Sequence, residues 1–139
     1  MSVKSMKNGR TSWQAKLDRV QEWKIVDGGN RFHGNLLIPT PRQIESLVRE
    51  IPLGAVSNPK LMRATLAKRL GADHTCPLCM GIFLRIAAEA CEESARLGLT
   101  RHTPYWRVVD QKGKHFPKWP GGTDGQKAIL DQELKDLMG

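Results

Sequence analysis

Long apolar runs, a disulfide framework and internal repeats are all missing from this chain of 139 residues. No stretch approaches the roughly 18 apolar residues that a membrane span requires. The basic N-terminus is not followed by the apolar segment of a signal peptide. Three cysteines, an odd number, do not make the paired framework of a small secreted protein. We therefore expect a cytoplasmic globular protein with no membrane partner.

Signatures of cofactor binding and of acid–base catalysis are missing as well. Gly28-Gly29 and Gly121-Gly122 lack the spacing of a phosphate-binding loop. The carboxylates show no pairing suited to general acid–base work. We expect no cofactor and no catalytic residue.

Basic residues are what the chain has in excess. Twenty-two lysines and arginines against 14 aspartates and glutamates give a net charge of +8 and an isoelectric point near 9.8. Such an excess attracts polyanions through long-range fields and counterion release. Nucleic acid is therefore the favoured partner, although a solvated basic surface would give the same count.

Three helix-start signals lie between residues 40 and 77. Thr40-Pro41-Arg42-Gln43 is a capping box with proline at the first helical position. Asn58-Pro59 repeats the cap and the proline, with Gly71 as the stop. Thr75 or Cys76, followed by Pro77, opens a third helix that runs to Gly98. The apolar faces predicted for the three helices are Ile44, Leu47, Val48 and Ile51; Leu61, Met62, Leu66 and Leu70; and Cys79, Ile82, Phe83, Ile86, Ala87, Ala90 and Cys91.

Weaker patterns flank these helices. Residues 13–23 predict a short helix, and residues 32–38 an extended stretch. Residues 105–109 and 114–116 predict the two strands of a basic hairpin. Thr123 with Gln126 is a capping-box candidate for a last helix whose apolar face comprises Ile129, Leu130, Leu134 and Leu137.

This order of elements predicts the fold class. Three helices, a hairpin and a last helix suggest a mainly α protein with a small β-hairpin, arranged like a winged helix-turn-helix. We assign residues 1–37 to an N-terminal extension, loose over its first ten residues. Residues 38–139 form the predicted winged helix domain.

Four motifs within residues 38–137 occur together in one protein family. They are Ile51-Pro52-Leu53-Gly54-Ala55-Val56-Ser57, Gly81 to Arg85, Pro104-Tyr105-Trp106-Arg107-Val108-Val109, and Gly121-Gly122 followed by Lys127, Leu130 and Glu133. Together they resemble the C-terminal domain of the alkylguanine-DNA alkyltransferases (methylated-DNA cysteine methyltransferases) and of their cysteine-less alkyltransferase-like relatives. The resemblance implies a non-catalytic protein that binds double-stranded DNA, alkylated or distorted, in DNA repair, with an excision-repair protein as a further partner.

The chain departs from the family's motifs at five points. Tyr105 replaces the reactive cysteine and Trp106 the neighbouring histidine, whereas alkyl transfer needs a thiolate. Pro59 falls where the family has the tyrosine of its helix-turn-helix, and Leu78 where it has an arginine finger. The asparagine hinge is missing because the predicted helix continues through residues 87–98. We therefore do not expect alkyl transfer, and the family's means of base flipping are not carried over.

Candidate DNA contacts are spread over the predicted helices and the wing. Backbone groups at a helix N-terminus suit phosphate, and Leu78 is able to wedge into a base stack. Arg85 is a further candidate, although it suits a pair with Glu89 equally well. The candidates are Ser57, Asn58, Lys60, Arg63, Leu78, Arg85, Arg107, Lys112 and Lys114.

Tyr105 and Trp106 are the candidates for a base-binding pocket. As neighbours on the predicted strand they should point to opposite faces, so one of them belongs to the core. Tyr105 takes the position of the family's cysteine, and we therefore predict that it lines the pocket where the family holds the alkylated base.

Cys76-Pro77-Leu78-Cys79 leaves an enzymatic alternative open. A thiol at a helix N-terminus has a lowered pKa, which would suit a redox protein or an alkyl acceptor. Structural zinc would need two more ligands, for which only His74 and His102 are at hand, so we expect no metal. We favour a structural role, with Cys76 as helix cap and Cys79 and Cys91 on the apolar face. A protein-interaction domain that has lost DNA binding is the third hypothesis.

Overall fold

The structure, a computed structural model, describes residues 12–110 and 118–139. This part is mainly helical with one small sheet, as the sequence predicts. Its elements in chain order are α1 (Trp13–Leu17), β1 (Lys24–Asp27), β2 (Asn35–Ile38), α2 (Pro41–Arg49), α3 (Pro59–Leu70), β3 (His74–Thr75), α4 (Pro77–Arg96), a 3-10 turn (Tyr105–Arg107) and α5 (Gly122–Met138).

The starts of α2 and α3 confirm the capping predictions. The Thr40 hydroxyl accepts a hydrogen bond from the Gln43 backbone at 3.1 Å, and the Gln43 side chain accepts one from the Thr40 backbone at 2.9 Å. The Asn58 side chain accepts from the Leu61 backbone at 2.8 Å. Gly71 ends α3 with a φ of 76°, a left-handed conformation that glycine adopts without strain. These features form as predicted because each depends only on near neighbours in the chain.

Helix α4 is the centre of the core and packs against both α2 and α1. The predicted apolar stripe is only partly right: Ala87, Ala90 and Cys91 are buried, but Ile82 is 49% exposed. The core instead takes Met80 and Leu84, which are fully buried. Two apolar stripes run along this helix, and contact with α2 and α1 selects between them.

The sheet forms at the N-terminal end, in the order β1-β2-β3. Strand β1 is antiparallel to β2, and β3 is parallel to β2. The sequence did not predict β1, and the predicted extended stretch shortens to β2, which crosses the proposed boundary between residues 37 and 38. The helix predicted over residues 13–23 ends at Leu17. Residues 1–11 lie outside the described residues.

The strand predicted over residues 105–109 is wrong. Residues 105–107 form a 3-10 turn, and only a single bridge joins Ser57 to Val108. The turn is held by backbone hydrogen bonds from residues 107 and 108 to the carbonyls of Pro104 and Tyr105, at 3.0 Å each. The buried Gln126 amide donates to the Val108 carbonyl and lies 3.5 Å from the carbonyls of residues 105 and 106. Carbonyls that converge on one side chain cannot alternate in direction as a strand requires. The rest of the predicted wing, residues 111–117, lies outside the described residues.

Helix α5 begins without the predicted capping box. Gly121 is its N-cap in a left-handed conformation, and no side chain caps the helix. The side chain of Gln126 is occupied in the core instead. Among the described residues, no helix is both long and apolar enough to cross a bilayer.

Candidate nucleic-acid interface

A groove of about 620 Å³ runs between α1, the first half of α4 and residues 118–119. Its volume falls in the range of pockets that take small aromatic ligands, about 300–1,000 Å³. Leu78 and Ile82, on the exposed side of α4, are 71% and 49% exposed. The apolar side chains lining the groove include Trp13, Val20, Leu78, Ile82, Phe83 and Trp119.

Cationic side chains line the same groove, and none of its lining residues within the ranges 12–110 and 118–139 is acidic. The cations are Lys16, Arg19, Arg85 and Lys118. Charged groups of one sign around a low-dielectric wall concentrate the field that they produce. An apolar floor with a cationic rim suits a ligand that combines apolar surface with negative charge.

Trp13 places two of these cations at the groove. The Lys16 ammonium lies 4.0 Å from the indole centroid, and the Arg85 guanidinium lies 5.4 Å from it. Both distances allow cation–π attraction. Arg85 also contacts the Glu89 carboxylate at 3.6 Å, as the sequence suggested, yet its side chain stays 43% exposed. Arg85 therefore remains accessible to an anion.

A buried carboxylate on α4 fixes α1, and with it one wall of the groove. The Glu93 carboxylate accepts hydrogen bonds from the backbone of Trp13 and Gln14 at 3.0 and 3.1 Å. The Gln14 amide donates to the Ala90 carbonyl at 2.9 Å and to the Ser94 hydroxyl at 2.7 Å. Glu93 thus supplies acceptors for the first backbone donors of a helix that is too short to be stable alone.

We expect Glu93→Gln to lower the free energy of unfolding by about 1–3 kcal/mol, because one buried backbone donor loses its acceptor. Urea unfolding followed by circular dichroism would measure this loss. Glu89→Gln is the matched control on the same helix, since Glu89 makes only the long contact to Arg85. Equal losses in the two variants would contradict the role assigned to Glu93.

The start of α3 carries four of the predicted DNA contacts. Asn58 and Lys60 are exposed, and Arg63 is partly exposed. The Ser57 backbone is held in the bridge to residues 107–109, with hydrogen bonds of 2.8 Å on both sides. These residues therefore present a helix N-terminus with two nearby cations at the surface.

Charge is distributed unevenly along the chain. Residues 51–88 contain five lysines and arginines but a single carboxylate, Asp73, which accepts a hydrogen bond from the Asn35 backbone. Helix α5 has the opposite balance, with four carboxylates and two lysines. The surface formed by α3 and the first half of α4 is called the basic face below; two of its five cations, Arg69 and Arg85, pair with Glu50 and Glu89.

Arg107 is wrong as a predicted DNA contact. Its guanidinium donates to both oxygens of Glu133, at 3.0 and 2.7 Å, and to the Ile51 carbonyl at 2.7 Å. Only 13% of its side chain is exposed. The Arg107 guanidinium in turn lowers the pKa of Glu133. Arg107 therefore joins α5 to the end of α2 and is not available to phosphate.

Tyr105 is wrong as the lining of an open pocket, because it is 1% exposed. Its hydroxyl donates to the Glu92 carboxylate at 2.8 Å, and Glu92 also binds Arg101 through two hydrogen bonds of 2.9 Å. Burial and the Glu92 carboxylate raise the pKa of Tyr105, so the phenol stays protonated. Trp106 is also buried, at 8% exposure, and donates to Glu133. Both aromatic side chains point inward because the 3-10 turn removes the alternation of a strand.

The cysteines fit the structural role better than the enzymatic one. Cys76 is the N-cap of α4, its sulfur accepting from the Cys79 backbone at 3.4 Å. Burial and the neighbouring Cys76 raise the pKa of Cys79 to about 12. Burial also raises the pKa of Cys91. Among the described residues, no group of three or more histidine, cysteine or carboxylate side chains is placed to hold a metal.

Sequence reasoning missed much of the groove. Trp13, Lys16, Arg19 and Lys118 were not predicted as site residues, whereas Leu78 and Arg85 were and do line it. The signal available was the run of aromatic and basic residues in α1, but its partner on α4 lies almost 80 positions along the chain. Lys112 and Lys114 lie outside the described residues.

Comparison of the chain with protein-family models, with curated proteins and with solved structures gives no match. What the protein binds is therefore inferred from the groove, the basic face and the chemistry around them.

Proposed function

We propose that this protein is a non-catalytic DNA-binding module that contacts duplex DNA with its basic face. The observation that carries the proposal is the uneven distribution of charge along the chain: residues 51–88 hold five basic side chains and one carboxylate, whereas α5 is acidic. Two of the five, Arg69 and Arg85, pair with Glu50 and Glu89 just outside that range, so the excess rests on Lys60, Arg63 and Lys68. Phosphate contacts of this kind give affinity and set orientation, without reading sequence.

The N-termini of α3 and α4 are further evidence for a DNA contact at the basic face. Both helices start with proline after a side-chain cap, and neither has an acidic residue in its first turn. The partial positive charge of a helix N-terminus therefore adds to that of Lys60 and Arg63. Leu78, exposed in the first turn of α4, is suited to press against a distorted base step.

The family resemblance extends the proposal to the kind of DNA. It implies that alkylated or distorted duplex is preferred over plain duplex, and that an excision-repair protein is a further partner. Because Tyr105 is buried, such a preference would depend on the exposed residues of α4 and not on a pocket at position 105.

Fluorescence anisotropy with a labelled duplex tests the proposal. We expect binding that weakens steeply between about 50 and 200 mM salt. Lys60→Glu with Arg63→Glu should lower the slope of log affinity against log salt by about two, because each of these cations neutralises about one phosphate. Lys127→Glu with Lys135→Glu, an equal charge change on α5, should leave the slope nearly unchanged. Absence of binding at low salt would contradict DNA binding and favour the protein-interaction hypothesis.

A further inference from the structure

We infer that the groove between α1 and α4 binds unpaired nucleotides, that is, a segment of single-stranded DNA. The inference rests on the proposed function for the identity of the polyanion, and the groove shares the first half of α4, including Leu78 and Arg85, with the basic face. The groove is built with α1, which lies outside the region that resembles the alkyltransferases, and Tyr105 does not line it.

The floor of the groove is suited to the face of a base. Leu78 and Ile82 are large apolar side chains left in water on a helix whose other side is fully buried. Gly81 lies between them and brings no side chain into the groove. An unpaired base has a flat, weakly hydrated face that apolar and aromatic side chains cover without regard to sequence.

The rim is suited to the phosphates of the same strand. Lys16, Arg19, Arg85 and Lys118 line the groove beside its apolar floor, and Arg85 also contacts the Glu89 carboxylate at 3.6 Å. The indole of Trp13 contacts two of these cations, which keeps them at the groove and not in bulk solvent. Single strands are bound without sequence preference where aromatic side chains stack on bases beside cations, and Trp13 and Phe83 are partly exposed aromatic side chains of this lining.

Paired DNA does not use such a floor. In a duplex the base faces are stacked and the base edges paired, so only phosphates, sugars and groove edges reach a protein. These groups are polar, so they interact with the cations on the rim of the groove but not with its apolar floor. The exposed apolar surface of Leu78 and Ile82 therefore favours unpaired or unstacked bases, including the distorted base step proposed above for Leu78, over undistorted duplex.

The test is anisotropy with a labelled oligothymidine of about 12 nucleotides, a length within the usual site size for single strands. We expect Ile82→Asn to weaken its binding several-fold, since a base covering this exposed side chain loses an apolar contact and meets a polar group. Leu97→Asn, at another exposed leucine just past the end of the same helix, is the matched control and should have no effect. Arg19→Gln, at an exposed position, should weaken binding and reduce its salt dependence.

The outcomes separate this inference from the proposed function. If the protein binds duplex DNA but Ile82→Asn and Arg19→Gln leave oligothymidine binding unchanged, the groove is not the binding site for single strands. The proposed duplex contact through the basic face is then unaffected. Oligothymidine binding that depends on Ile82, without duplex binding, supports the groove and overturns the basic face. Polyglutamate is the competitor that tests for recognition of bases. If it displaces the labelled oligothymidine as effectively as unlabelled oligothymidine does, the groove binds an acidic peptide equally well and recognition of bases is contradicted.

Discussion

Replacing Arg107 with alanine should lower the free energy of unfolding by about 3 kcal/mol, near the lower end of the range for breaking a buried ion pair. The replacement removes all the hydrogen bonds from Arg107 to Glu133 and to the Ile51 carbonyl. Glu133 is only 14% exposed and would keep Trp106 as its one remaining partner. The cost therefore includes a partly buried carboxylate without its counter-charge.

Arg69→Ala is the matched control. Arg69 also donates two hydrogen bonds to one carboxylate, that of Glu50, but both side chains are half exposed. Water and salt screen such a pair, so we expect a much smaller change than at Arg107. Urea unfolding of both variants measures the difference, and equal losses would show that the burial of the Arg107 pair does not matter.

The pH dependence of the Arg107→Ala effect gives a second measurement. The pKa of Glu133 is lowered in the folded protein, so its pairing stabilises the fold above the pKa of the unfolded chain, near 4.3, and is lost as pH falls through the folded value. The stability difference between wild type and Arg107→Ala should therefore be full at pH 7 and shrink below about pH 4. A difference that grows on acidification would contradict the ionised pair.

Tyr105→Cys should not restore alkyl transfer, although it places a thiol where the alkyltransferases carry their nucleophile. The new thiol would lie in the core, next to Trp106 and Trp119, whose rings are centred 5.3 and 6.1 Å from that of Tyr105. Burial and the nearby Glu92 carboxylate would raise its pKa, and a protonated thiol is a poor nucleophile. We expect no mass gain after incubation with alkylated DNA.

The same substitution should be costly for the fold. Removing a fully buried aromatic ring leaves a cavity, and we expect a loss of about 3 kcal/mol in the free energy of unfolding. Tyr105→Phe is the control: it keeps the ring and gives up only the hydrogen bond to Glu92, for which we expect about 1 kcal/mol. A stable Tyr105→Cys protein that gains an alkyl group at position 105 would show that the site is open.

Arg107 and Tyr105 are two residues whose roles could not be predicted from the sequence. Arg107 and Tyr105 were assigned to DNA and to a pocket because residues 104–109 resemble an active-site strand. Their roles depend on Glu133 and Glu92, at separations of 26 and 13 residues. A motif fixes residue types and order, but the partner of a charged or hydroxyl group is chosen by packing. The Gln126 side chain, which donates to the Val108 carbonyl in the core, had been predicted as part of a helix cap.

The sequence alone determined the starts of α2, α3 and α4, the end of α3 and the excess of positive charge. Each helix boundary depends on a cap, a proline or a glycine that acts within about four residues, so no distant contact is needed. Only the tertiary structure decided which stripe of α4 is buried, that Arg107 and Tyr105 face inward, and that α1 meets α4 to form a groove. The contacts behind these outcomes join residues as many as 80 positions apart, and burial chooses among apolar and charged side chains that look equivalent along the chain.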